Sequence, residues 1–306
     1  LITIAREAGI DAEIYHLKTS EKGNWQKLDS VVTIVEAAQE EGLHITADMY
    51  TYPASSTGLS VVLPDWAEDG GVNSAIERIR DPELRQKIID GIHFTCSPDS
   101  TLLVGFKNPD LRKYIGQSVG EIARERGISP QQAVVDLIDE DDSRIQAVYF
   151  TMSPENIKKK VAIPWVSFCS DAGSFTNEGI FLKQSTHPRA YGSFIRVLGK
   201  YSRDEKIITL EEAIRKLTSL PAKNLKLKKR GSLVPGYYAD VVIFNPETVT
   251  DHATFEKPHQ YATGVSNVWV NGIRVLKDGE HTGANAGRFV KGPGYNVNKS
   301  QNSKSK

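Results

Sequence analysis

The sequence of 306 residues is long enough for one large domain, or for a large domain and a small one. Lysine and arginine balance aspartate and glutamate at 38 each, so net charge gives no reason to expect nucleic acid or an anionic membrane as a partner. No apolar run is long enough to span a bilayer. The two cysteines, Cys96 and Cys169, exclude a disulfide framework and fit a reducing, cytoplasmic compartment.

The first residues already follow a helical pattern. Apolar residues recur with helical spacing over positions 1–8, and Gly9 supplies a C-terminal stop. Because the chain opens on Leu1 inside this pattern, we expect it to be a piece of a longer protein.

Strand and helix patterns then alternate. Residues 12–17 predict a strand, 30–41 a helix and 44–50 a second strand, an order that is typical of a parallel α/β sheet or barrel. A less regular stretch near 53–98 is interpreted as an insertion across the top of that barrel. A further strand is predicted at 147–151.

Capping residues mark the later helices. Helix starts are predicted at Ser118, Ser129, Ser153 and Thr209, and a short buried strand is predicted at 166–169.

Beyond Leu225 the apolar period changes from 3.6 to 2, and Asn271-Gly272 predicts a type I′ hairpin turn. We therefore expect a partial barrel over 1–227, a small β module over 228–290 and a disordered tail over 291–306.

Residues at the C-terminal ends of barrel strands are the first candidates for chemistry. His16 could ligate a metal and Lys18, two residues on and so on the same face of a strand, could hold an anion. A partly buried surface pair is the simpler alternative for these two. Tyr50 and Ser56 carry hydroxyls suited to a carboxylate or amide, or else form a tyrosine-capped core and an ordinary turn.

Two further candidates follow the strand at 166–169. Asp171 could bind a metal or act as a base, although an aspartate there also commonly caps a helix or binds a loop. Arg189 could bind a carboxylate through two parallel hydrogen bonds, or be a plain surface arginine. The pattern and spacing alone lead to a barrel-like α/β piece with a β module, with hydrolysis as one option.

Several long segments have the motifs of a single known family. Residues 187–199 match its segment HPRxYGTFPRVLG closely, and residues 48–58 are similar to DxYPYxASSTG. The other similar segments are 15–25, 63–71, 147–171, 218–222 and 231–244. Together they resemble the D-aminoacylases, or N-acyl-D-amino-acid deacylases, of the amidohydrolase superfamily.

The resemblance implies a TIM-like barrel with a small β-sandwich and zinc-dependent hydrolysis of N-acyl-D-amino acids to a carboxylate and a D-amino acid. His16 would then be a metal ligand, and Asp171 would be both a metal ligand and the residue that activates the metal-bound water. One or two zinc ions are expected, with most ligands in the N-terminal half of the family's barrel, which the resemblance implies is missing here or comes from another chain.

The resemblance also implies a binding site for a small-molecule substrate. Lys18, Tyr50, Ser56 and Arg189 match positions around that substrate, and Arg189 would bind its α-carboxylate.

The sequence departs from the family pattern in its metal ligands. The family's His-X-His pair, its metal-binding cysteine and a second metal-binding histidine have no counterpart here. We therefore expect the chain alone to bind metal poorly and to be a poor enzyme. A cyclic amidase related to dihydroorotase or hydantoinase, and a non-catalytic fragment, remain the alternatives.

Overall fold

The computed structural model describes residues 1–295, so most of the tail predicted over 291–306 lies outside the described residues. The α-helices are α1 Ile2–Ala8, α2 Leu28–Glu40, α3 Asp65–Glu68, α4 Val72–Arg80, α5 Pro82–Gly91, α6 Val119–Arg126, α7 Pro130–Asp141, α8 Pro154–Ala162, α9 Arg189–Arg196, α10 Leu210–Leu217 and α11 Ser219–Asn224. The strands are β1 Ala12–Ile14, β2 Ile45–Met49, β3 Ser55–Gly58, β4 Thr101–Gly105, β5 Gln146–Tyr149, β6 Val166–Phe168, β7 Val241–Phe244, β8 Val265–Val270, β9 Ile273–Lys277 and β10 Glu280–His281.

A parallel three-stranded sheet in the order β1-β2-β6 forms the centre of the α/β part. Its middle strand, β2, lies within the strand predicted at 44–50 and is almost wholly buried. Helix α2 connects β1 to β2, which is the crossover that a parallel pair requires. Within residues 1–295 this sheet does not close into a barrel.

The strand predicted at 147–151 belongs to a second, antiparallel sheet. Strand β5 pairs with β3 on one side and β4 on the other. Helices α4 to α7 pack against this sheet in a separate apolar core. Only β3 lies within the predicted insertion near 53–98, whereas β4 and β5 follow it, and the domain boundaries themselves stay a prediction.

The β module is one antiparallel sheet in the order β10-β9-β8-β7. Its central hairpin turns at Asn271 and Gly272, whose φ angles are 52° and 82°. Positive φ at both positions defines a type I′ turn, so the prediction from the Asn-Gly pair is confirmed.

In two regions the structure differs from the sequence-based prediction. Strand β1 ends at Ile14, and the expected continuation to residue 17 is broken because His16 adopts a φ of 43°. Residues 189–204 form α9 and a π-helix, Val197–Asp204, which the sequence did not predict. In the part of the chain that the structure describes, no helix is long and apolar enough to cross a membrane.

Candidate functional site

The candidate site lies where the three parallel strands end. His16 follows β1, Tyr50 follows β2 and Asp171 follows β6. The C-terminal ends of parallel strands meet at one edge of a sheet, so these side chains are brought together although they are far apart in the sequence.

His16 sits in a tight turn rather than on a strand, which corrects the argument that strand alternation aligns it with Lys18. Its backbone N–H donates to Asp48 Oδ1 at 2.5 Å. The next residue, Leu17, accepts a 2.7 Å hydrogen bond from the buried Nζ of Lys160 at its carbonyl oxygen. These two contacts fix the turn, and neither partner was singled out from the sequence.

Lys18 and Tyr50, which are both predicted to lie near the substrate, are in contact with each other. Lys18 Nζ lies 3.4 Å from the Tyr50 hydroxyl and 5.3 Å from the ring centroid. Burial lowers the pKa of Lys18 and raises the pKa of Tyr50. At neutral pH the tyrosine therefore keeps its proton and can donate it in a hydrogen bond.

Arg189 and Asp171 form an ion pair, with Nη2 2.9 Å from Oδ2. Arg189 is only 6% exposed, and its guanidinium carbon lies 4.5 Å from the Tyr50 ring centroid, a cation–π distance. Its Nε and Nη1 have no hydrogen-bond partner among residues 1–295. The hydroxyl of Tyr15 lies 3.4 Å from Asp171 Oδ1, a weak contact at best.

Ser56 is not brought into this group by any hydrogen bond. It lies on β3, and its hydroxyl donates to the carbonyl oxygen of Ala147 at 2.9 Å. Its predicted contact with a substrate stays a prediction.

The described residues do not fit a zinc ion by themselves. Within residues 1–295 no three His, Cys, Asp or Glu side chains are grouped closely enough to hold a metal. Of the predicted ligands, the Asp171 carboxylate is already paired with Arg189. Burial is the main cause that raises the pKa of the nearby Cys169, and the negative charge of Asp48 is the second. This thiol therefore stays protonated and is a poor ligand.

Sequence comparisons identify relatives of this chain. The amidohydrolase family model matches residues 183–276. The D-aminoacylase of Alcaligenes xylosoxydans xylosoxydans is 32% identical over 289 residues, which are 94% of this chain and 50% of the relative. The N-acyl-D-glutamate deacylase of the same organism is 30% identical over 276 residues, 90% of this chain and 47% of the relative. A dihydroorotase of Lactobacillus helveticus matches only 59 residues, 19% of this chain and 14% of the relative, at 41% identity.

Solved structures show the same relationship. A D-aminoacylase with a binuclear metal centre superposes with a TM-score of 0.73 at 32% identity, over 94% of this chain and 51% of that chain. The N-acyl-D-glutamate deacylase of Bordetella bronchiseptica, bound to zinc and a phosphonate mimic of the tetrahedral intermediate, gives 0.70 at 28% identity, over 92% and 50%. The chain spans about half the length of the relatives it matches. The chain is therefore a homologue of D-aminoacylases and N-acyl-D-amino-acid deacylases over about half of their length, and its residues 183–276 match the amidohydrolase family.

Proposed function

We propose that a protein containing this chain hydrolyses the amide bond of N-acyl-D-amino acids, giving a carboxylate and a D-amino acid. The observation that carries the proposal is the state of Arg189. This cation is 6% exposed and lies over the Tyr50 ring, and its Nε and Nη1 groups find no partner in the part of the chain that the structure describes.

A buried guanidinium with unused donors favours a negatively charged ligand. Leaving a buried donor unsatisfied costs about 1–3 kcal/mol, and a carboxylate oxygen of a ligand can accept from one of these groups. Lys18, held near the same tyrosine, adds positive charge beside the ligand. A small carboxylate such as an N-acyl amino acid fits this charge pattern.

Asp171 then supplies the acid–base chemistry. Its carboxylate accepts a proton from water as the water oxygen adds to the amide carbonyl carbon, and returns that proton to the nitrogen as the C–N bond breaks. Arg189 binds the α-carboxylate, with Lys18, Tyr50 and Ser56 around the substrate. This places the leaving amine next to the carboxylate that protonates it.

The proposed activity requires zinc, and the described residues supply too few ligands to hold it. The relatives hold zinc or a binuclear metal centre, whereas residues 1–295 contain no group of three ligands, and His16 and Asp171 are the two that we propose here. We therefore propose that further ligands come from outside this chain. In the same way we propose that the parallel sheet is part of a TIM-like barrel and the β module part of a β-sandwich.

Two alternatives have some support. The short match to dihydroorotases favours a cyclic amidase. The lack of a group of metal ligands within residues 1–295 favours a non-catalytic role for this chain alone.

The test compares N-acetyl-D-methionine with its L-enantiomer and with dihydroorotate, with added zinc. It uses the 306-residue chain and a version extended upstream to restore further barrel strands. We expect D-selective deacylation by the extended version alone, and a loss of at least about 100-fold in Asp171→Asn. Asp110→Asn, which changes an exposed carboxylate, should leave the rate unchanged. Turnover of dihydroorotate instead, or no turnover by the extended version, would refute the substrate assignment.

A further inference from the structure

His187 lies two residues before Arg189 and is 3% exposed, yet none of the chemistry above uses it. Its Nδ1 accepts a hydrogen bond from the backbone N–H of Arg189 at 3.0 Å, and its Nε2 lies 2.9 Å from the carbonyl oxygen of Ala54. A backbone N–H can only donate and a carbonyl can only accept. The ring therefore carries its proton on Nε2 and is neutral.

The ring is also enclosed by aromatic side chains. Tyr50, Tyr52 and Phe255 meet it edge-on, with centroids 6.1, 5.6 and 5.1 Å away. Burial, reinforced by the positive charge of Arg189, lowers the pKa of His187 to about 3, so the neutral form persists across the physiological range. The ring has one orientation and one protonation state.

Helix α9 begins at Arg189, and this ring accepts from the first backbone N–H of the helix. The residue at its N-cap position is Pro188, which provides no side-chain acceptor. His187 supplies the acceptor instead and, through Ala54, ties the start of α9 to the segment just before β3.

We propose that His187 is a positioning residue that fixes the backbone of Arg189 and thereby aims its guanidinium at Asp171 and the ligand carboxylate. The importance of that guanidinium rests on the proposed function, so the test reads Arg189 directly and needs no turnover.

The experiment removes the two hydrogen bonds of the His187 ring one at a time. In His187→Asn the side-chain oxygen can still accept from the N–H two residues on, as Asn side chains do in turns, but the contact with Ala54 is lost. In His187→Gln the amide can still donate to Ala54, but the contact with Arg189 is lost. The measurement is the exchange rate of the Arg189 Nε–H with water, by NMR of the ¹⁵N-arginine-labelled chain. Arg196, whose Nε is also buried and without a partner, is the internal control.

We expect His187→Gln to accelerate exchange at Arg189 at least about 10-fold with Arg196 unchanged, and His187→Asn to stay within about 3-fold of wild type at both sites. Equal acceleration at Arg189 and Arg196, or no change at Arg189, would overturn the positioning role. If His187→Gln does not fold, the test rests on His187→Asn. Rapid exchange at Arg189 in that variant would refute the proposal, and exchange within about 3-fold of wild type would support it. In an active extended protein, His187→Gln should raise KM more than it lowers kcat. A failure of deacylation alone would leave the exchange result standing.

Discussion

At the scale of the residue, close packing leaves some positions with a single acceptable side chain. Gly192 on α9 faces Tyr52, and an added Cβ would overlap the tyrosine hydroxyl. That hydroxyl donates to Asp251 Oδ2 at 3.2 Å, and Asp251 is also paired with Arg196 at 2.7 Å. A glycine is needed because the ion pair and the tyrosine together fill the space beside the helix.

Gly192→Ala should therefore reduce the free energy of unfolding by about 1–3 kcal/mol, measured by denaturant titration. Tyr52→Phe in the same background removes the overlapping oxygen and should recover part of that loss, which a double-mutant cycle detects as coupling. Gly23→Ala, with open space around the new Cβ, is the control and should change little. Additive effects of the two substitutions would contradict the overlap.

Lys216 predicts a pH dependence of stability. Its side chain is fully buried, and Nζ donates to the carbonyl oxygens of Val161 and Ile163 at 2.5 and 2.8 Å. Burial lowers its pKa to about 8, whereas the pKa of a lysine in an unfolded chain is about 10.4. Between these two pKa values the unfolded chain binds more protons than the folded chain, so the free energy of unfolding rises with pH. The destabilisation caused by burying the charged Lys216 is fully present below pH 8.

Relative to Lys216→Met, wild type should gain about 1–3 kcal/mol in free energy of unfolding from pH 7 to pH 10. Denaturant titrations at four or five pH values measure this gain. Lys159→Met removes an exposed lysine paired with Asp29 and should show no such slope. A difference between wild type and Lys216→Met that stays constant over the range would disprove the shift.

The candidate site shows how far single residues can be predicted. His16, Lys18, Tyr50, Asp171 and Arg189 were singled out from the sequence, and the structure brings them together. Asp48 and Lys160, which contact the backbone of His16 and Leu17, were not singled out, because a backbone contact from a distant side chain leaves no local pattern. The roles of the five residues in catalysis and binding stay a prediction.

At the scale of the element, helix starts were the most predictable feature. The structure confirms caps at Ser118, Ser129, Ser153 and Thr209, each accepting from a backbone N–H three residues on. These interactions close within one turn, so the sequence alone specifies them.

Ser118→Ala should reduce the free energy of unfolding by about 1–2 kcal/mol, because it breaks a complete capping box with Glu121 at a buried position. Ser129→Ala, at an exposed cap with one hydrogen bond to Gln132, should lose about half as much. Thermal and denaturant unfolding of both variants measure the difference. A larger loss at Ser129 would show that the box adds nothing.

At the scale of the whole molecule, metal binding is the sharpest test. The described residues hold no group of three ligands, so the 306-residue chain should bind zinc weakly after dialysis. Metal analysis should give well under one equivalent, and added zinc or its removal by chelator should leave the melting temperature unchanged. Stoichiometric zinc that disappears in His16→Ala would contradict this and place a complete site within the chain.

The sequence by itself determined what depends on near neighbours: the capped helices, the Asn271-Gly272 turn, the strand at 166–169 and the family motifs. Only the tertiary structure decided that β5 pairs with β3 and β4, and that Arg189 reaches Asp171 across the Tyr50 ring. Periodicity and capping extend over a few residues. Strand partners such as β3 and β5 lie about 90 residues apart, and burial of the whole apolar surface selects them.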